Sequence, residues 1–125
     1  MSHRVTAFPT RFLSIADVDQ DALLACLELA VRMKAARARR IKHDRPLEGL
    51  HVALLFEKPS LRTRSTFEIA VRELGGDVIE PPQGVALGGR ETIEDVARNL
   101  ERWVSAAVVR TFAQEHGAVR LVEVR

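Results

Sequence analysis

The 125-residue chain carries 19 lysines and arginines against 17 aspartates and glutamates, and a net charge of +2 is too small to imply a polyanionic partner. With 46% hydrophobic and 29% charged residues it has the composition of a folded globular chain, long enough for one modest core. No apolar run approaches the roughly 20 residues of a membrane span, and Met1-Ser2-His3-Arg4 lacks the apolar stretch of a secretion signal, so the expected compartment is the cytoplasm, with no membrane partner.

Asp19 is an N-cap for a first helix running to about Arg40, with Leu24, Leu27, Val31 and Ala35 at helical spacing. The single Cys26 lies among Leu23, Leu24 and Leu27 and is expected in the core of a protein from a reducing compartment. The helix ends in Lys34, Arg37, Arg39, Arg40 and Lys42, cations that suit the dipole before Asp44-Arg45-Pro46 breaks the helix. Without interleaved aromatic residues or a known motif, this run reads as a solvated face, and no nucleic-acid partner is expected.

A buried strand follows at about Leu50 to Phe56, then a turn at Pro59, which forbids a further ladder bond. Ser60 is placed to cap a second helix whose apolar face is Phe67, Ala70, Val71 and Leu74, with Gly75 or Gly76 as left-handed C-terminal cap. A short strand, Asp77 to Glu80, leads through Pro81-Pro82 into Gln83 to Arg90, where three glycines predict mobility. Thr92 caps a third helix with Asp95 at the reciprocal position, and Ile93, Val96, Leu100 and Trp103 are expected to face inward. Ala106 to Arg110 reads as the next buried strand. Alternating strands and helices predict an α/β fold, a three-layer αβα arrangement around a parallel sheet.

The turn after the first strand concentrates the chemistry. A strand, a tight turn and a helix start place Ser60, Arg62, Thr63 and Arg64 where free backbone N–H groups and the positive end of the helix dipole lie. Forked guanidiniums and hydroxyls at such a start suit a bound phosphate. Each residue also has a plainer role: Ser60 as a cap, Thr63 as a first-turn residue, Arg64 as an ion pair with Glu68, Arg110 as a strand-end surface charge. There is no CxxC pair, no HExxH and no Walker-type loop, so neither a metal nor a cofactor is expected.

Phe56-Glu57-Lys58-Pro59-Ser60-Leu61-Arg62-Thr63-Arg64, followed by Ser65-Thr66-Phe67-Glu68 and Leu74-Gly75-Gly76, resembles the carbamoyl-phosphate loop of the aspartate/ornithine carbamoyltransferases. Phe12-Leu13-Ser14, Leu47-Glu48-Gly49, the run from Arg90 to Arg98 and Val108-Val109-Arg110-Thr111-Phe112 fall in the family's order, so the resemblance covers roughly residues 8 to 115. Lys58 before Pro59 and the Val-Arg-Thr-Phe block look like the ornithine branch. The resemblance implies a carbamoyl-phosphate site made by Ser60, the Leu61 backbone, Arg62, Thr63 and Arg110, with Arg62 and Arg110 as the charge-stabilising pair. It implies transfer of the carbamoyl group to ornithine without metal or cofactor, and a trimer-type homo-oligomer. Glu57 and Lys58 read as architectural. Ala86 stands where ornithine-type relatives often have glutamine, leaving Gln83 and Arg90 as alternative donors, neither assigned.

The family's His-Pro-x-Gln, Ser-Met-Gly and Cys-Leu-Pro blocks have no match, and His43 and His116 lie in the wrong contexts to replace them. Residues 116–125 diverge from the pattern. The expectation is therefore one partial carbamoyl-phosphate domain over residues 1–125, with the amino-acid-binding domain absent and the chain inactive by itself. A premature stop, a frameshift near Glu115 or a misplaced gene end would leave such a chain. The other reading is a non-catalytic module that binds carbamoyl phosphate or phosphate, or packs on full-length relatives.

Overall fold

The computed structural model describes residues 8–58, 60–82 and 89–111, in two compact units that divide after His43. Pro59, most of the loop predicted to be mobile, Gln83, Ala86 and the tail over 116–125 lie outside the described residues.

In the first unit, a single 3₁₀ turn at Ile15–Asp17 precedes helix α1, Gln20–Ala38. Ser14 and Asp17 cap the turn reciprocally. The Asp17 carboxylate accepts the N–H groups of Leu13 (2.8 Å) and Ser14 (3.0 Å), and these bonds hold its carboxyl below the usual range. Asp19 caps α1 as expected, its carboxylate accepting the Ala22 N–H at 2.7 Å. The helix stops before Asp44-Arg45-Pro46 is reached. Arg40 adopts φ +56° and the Ile41 N–H bonds back to the Ala36 carbonyl at 2.9 Å, so a left-handed residue, not the proline, ends it.

The core expected inside α1 is not there. Only Ala22 is buried, while Leu24, Leu27 and Val31 are 49%, 54% and 69% exposed, and Cys26 is exposed as well. Leu23, Leu24, Leu27, Leu29 and Val31 occupy several sides of the helix, so helical spacing marked the element without defining a buried stripe.

The second unit is built on strand β1, His51–Phe56, whose Val52 to Phe56 are all buried. Strand β2, Asp77–Ile79, and strand β3, Ala106–Arg110, pair with it in parallel on either side, giving the order β2-β1-β3. Side chains alternate along β1. Val52, Leu54 and Phe56 pack with Val71 of helix α2, Leu61–Glu73, while Ala53 and Leu55 pack with Val96 and Leu100 of helix α3, Ile93–Trp103. A three-layer αβα arrangement results, as expected.

Helix α2 ends in a Schellman motif: the Gly75 N–H reaches the Arg72 carbonyl (3.0 Å) and the Gly76 N–H the Val71 carbonyl (2.9 Å). Gly75 holds φ +91°, and a Cβ there would stand 2.9 Å from the Arg45 Cβ, so both backbone and space demand glycine. On α2 only Val71 is buried; Phe67 and Ala70, expected inward, are exposed. Trp103 also departs from expectation, at 59% exposed. It ends α3 beyond the turn that meets β1, and Val104, next in the chain, packs on that core instead. Strand β3 is less buried than expected: among the described residues only β1 pairs with it, and Ala106 and Ala107 are exposed.

Leu54, fully enclosed on the central strand, is the test of this core. Leu54→Ala is expected to destabilise the fold by about 2–5 kcal/mol, and Trp103→Ala by about 0.5 kcal/mol or less, measured by urea unfolding.

Candidate anion site

The topology fixes where a ligand belongs. From β1 the chain crosses through α2 to β2 on one side, then through α3 to β3 on the other. The carboxyl ends of β1 and β3 therefore flank a switch point, the crevice where open parallel sheets bind ligands. Phe56, the last residue of β1, stands in register with Arg110, the last of β3. The turn from β1 into α2 is thus beside the Arg110 guanidinium.

The contact is direct. Arg110 Nη1 donates to Ser60 Oγ in a short hydrogen bond and to Thr63 Oγ1 at 3.1 Å. Ser60, expected to cap α2, is its N-cap by position, yet its side chain makes no capping bond and serves Arg110 instead. Each hydroxyl accepts from the guanidinium and keeps its own proton for donation to a further acceptor. The first helical N–H groups, from Leu61 onward, precede the Arg64 N–H bond to the Ser60 carbonyl (3.0 Å) and have no intrahelical partner.

Arg62 and Arg64, two positions apart, have opposite fates. Arg62 is exposed, and no described residue pairs with its guanidinium; its carbonyl accepts the Thr66 hydroxyl at 2.7 Å. Arg64 pairs with Glu68 at 3.3 Å, as the spacing predicts, and also with Glu80, to which its Nε donates at 2.6 Å. The Glu80 hydrogen bond holds the Arg64 guanidinium's pKa above its usual value. Glu80 was invisible as a partner 16 residues away. One signal pointed to it: an acid immediately after a strand, facing the start of the helix that precedes that strand.

Glu57 is tied to the β3 end twice. Its N–H bonds the Arg110 carbonyl (2.9 Å) and its carboxylate accepts the Thr111 hydroxyl (2.6 Å), in keeping with an architectural role. Arg90 is exposed before α3 and makes no hydrogen bond or ion pair to the corner among the described residues. Among the described residues no cluster of His, Cys, Asp or Glu suits a metal ion, and no helix is long and apolar enough to cross a membrane. What the corner offers is positive charge, N–H groups and two hydroxyls converging on one small volume. That is chemistry for an oxyanion.

Residues 10–124 match the family model described as the carbamoyl-phosphate-binding domain of aspartate/ornithine carbamoyltransferase. An ornithine carbamoyltransferase of Parafrankia sp. (strain EAN1pec) is 51% identical over 105 residues, 83% of this chain and 33% of that protein. The crystal structure of ornithine carbamoyltransferase from Thermus thermophilus superposes with a TM-score of 0.80 at 39% identity, over 94% of this chain and 39% of that one. The ornithine carbamoyltransferase from Pyrococcus furiosus gives a TM-score of 0.86 at 33% identity, over 96% and 38%. The chain spans about a third of the length of the curated relatives it matches.

Because the Ser60 hydroxyl faces Arg110 rather than the helix, its loss should leave α2 largely intact. Ser60→Ala is expected to lower stability by less than Thr92→Ala, which removes a real cap (Thr92 Oγ1 to the Asp95 N–H, 3.2 Å) worth about 0.5–2 kcal/mol. Thermal unfolding of the two variants makes the comparison.

Proposed function

The chain belongs to the aspartate/ornithine carbamoyltransferase family, and on that premise we propose that the corner between α2 and β3 binds the phosphate of carbamoyl phosphate. The observation that supports this reading is the bridge from Arg110 to Ser60 and Thr63, which draws a strand-end cation onto a helix N-terminus. Arg62 and Arg110 supply two positive charges for a doubly charged phosphate, and Arg62 has no competing carboxylate among the described residues. Ser60, Thr63 and the Leu61 N–H add neutral donors. No general base or metal is needed for this share of the work, which is to hold the anion and stabilise it as it leaves.

In the full reaction the ornithine side-chain amine attacks the carbamoyl carbon and a C–N bond forms. The C–O bond to phosphate then breaks with its electron pair passing to the phosphate, and the proton lost by the attacking amine goes to the departing phosphate, giving citrulline and inorganic phosphate. The chain contributes the leaving-group side of that transfer. Its setting is arginine metabolism in the cytoplasm, as part of a trimer-type homo-oligomer.

Titration calorimetry with carbamoyl phosphate tests the assignment. Arg62→Ala and Arg110→Ala are each expected to weaken binding by about ten- to a hundredfold, the loss of one charge-assisted bond of about 1.5–3 kcal/mol. Arg64→Ala should weaken it much less. Equal affinity in the parent and all three variants would refute the site.

A further inference from the structure

The N-terminal turn of α2 is fastened at both edges of the sheet. On the β3 side Arg110 holds Ser60 and Thr63. On the β2 side Glu80, the residue after that strand, takes Arg64 through both carboxylate oxygens. The order β2-β1-β3 sets these two attachments on opposite sides of the central strand. They are joined by one backbone bond, because the Arg64 N–H donates to the Ser60 carbonyl at 3.0 Å. A continuous chain of contacts thus runs from the end of β2, through the first helical turn, to the end of β3.

The geometry points to Arg64 and Glu80 as a positioning pair that sets the orientation of the anion-binding turn. Arg64 spends its guanidinium on Glu80 and, at 3.3 Å, on Glu68, so it is not presented to an anion as Arg62 is. A multidentate guanidinium–carboxylate contact fixes direction as well as distance. The side chains are 37% and 32% exposed, so such a pair adds little to global stability, and its effect is felt where the turn is aimed. Two hydroxyls and a helix N-terminus must converge on one anion, and a turn held at one edge only is free to swing about that attachment. This inference rests on the reading of the corner as a phosphate site.

Arg64→Met with Glu80→Gln removes one charge of each sign and leaves the net charge unchanged, and Glu68 keeps its contact with Arg72 at 3.4 Å, so the change in field at the site is kept small. Titration of the full chain with carbamoyl phosphate, and with inorganic phosphate, is expected to show about two- to fivefold weaker binding. Amide exchange should quicken over residues 61–64, and the unfolding midpoint should barely move. Should the double variant fail to fold, Glu80→Asp, which keeps the charge but shortens the reach, is expected to weaken binding in the same direction. Parent-like affinity in the double variant, or in Glu80→Asp where it alone folds, overturns the pair while Arg62→Ala and Arg110→Ala still bind poorly. If those two also bind like the parent, the phosphate site itself is wrong.

Discussion

Parallel pairing on both sides of β1 is the constraint from which the rest of the second unit follows. A strand flanked on both edges and covered on both faces has to be apolar throughout, and Val52 to Phe56 meet that demand without a polar side chain. Parallel neighbours cannot be joined by tight turns, so α2 and α3 must carry the chain back, one over each face. The reversal of direction after β2 then opens a crevice at the carboxyl end of β1. The site is a product of that connectivity before it is a product of any side chain.

Within the crevice, the chemistry comes from making one group serve two purposes. The Arg110 guanidinium satisfies the Ser60 and Thr63 hydroxyl oxygens, and so arranges donors for a ligand with no buried polar atom left orphaned among the described residues. Cations beside a helix N-terminus repel the dipole, an unfavourable placement for stability alone. Arg62, Arg64 and Arg110 all crowd that end. Glu68 and Glu80 neutralise Arg64; an anion would neutralise the others.

The architecture was largely legible in the sequence. Strand boundaries at Phe56 and Arg110, the glycine cap at Gly75 and the Thr92 cap follow from local rules that tertiary context did not override. Ser60, Leu61, Arg62, Thr63 and Arg110 were nameable as a group only through the family pattern, since residues 50 apart have no local signal to join them; the structure brings Ser60 and Thr63 onto Arg110. What failed was burial. Helical spacing identified α1 but not its exposure, Trp103 lay past its helix's contact with the sheet, and Ala106 and Ala107 of β3 are exposed. Burial depends on what stands opposite an element, and the spacing of apolar residues does not contain that information.

The long sequence separation of β3 from its partner strand has a consequence for how ligand and fold are coupled. Strand β2 meets β1 across a separation of 26 residues (His51 with Asp77), whereas β3 meets it across 54 (Val52 with Ala106). Doubling a loop adds only about 0.6 kcal/mol of closure entropy, and Ala106 and Ala107 of β3 lie in solvent. A strand with few buried side chains is where local opening is favoured. The last residue of β3 is Arg110, which reaches across to α2, so an anion gripped by both would act as a staple between strand and helix. Ligand affinity and the protection of the β3 amides against exchange are then two measures of the same equilibrium.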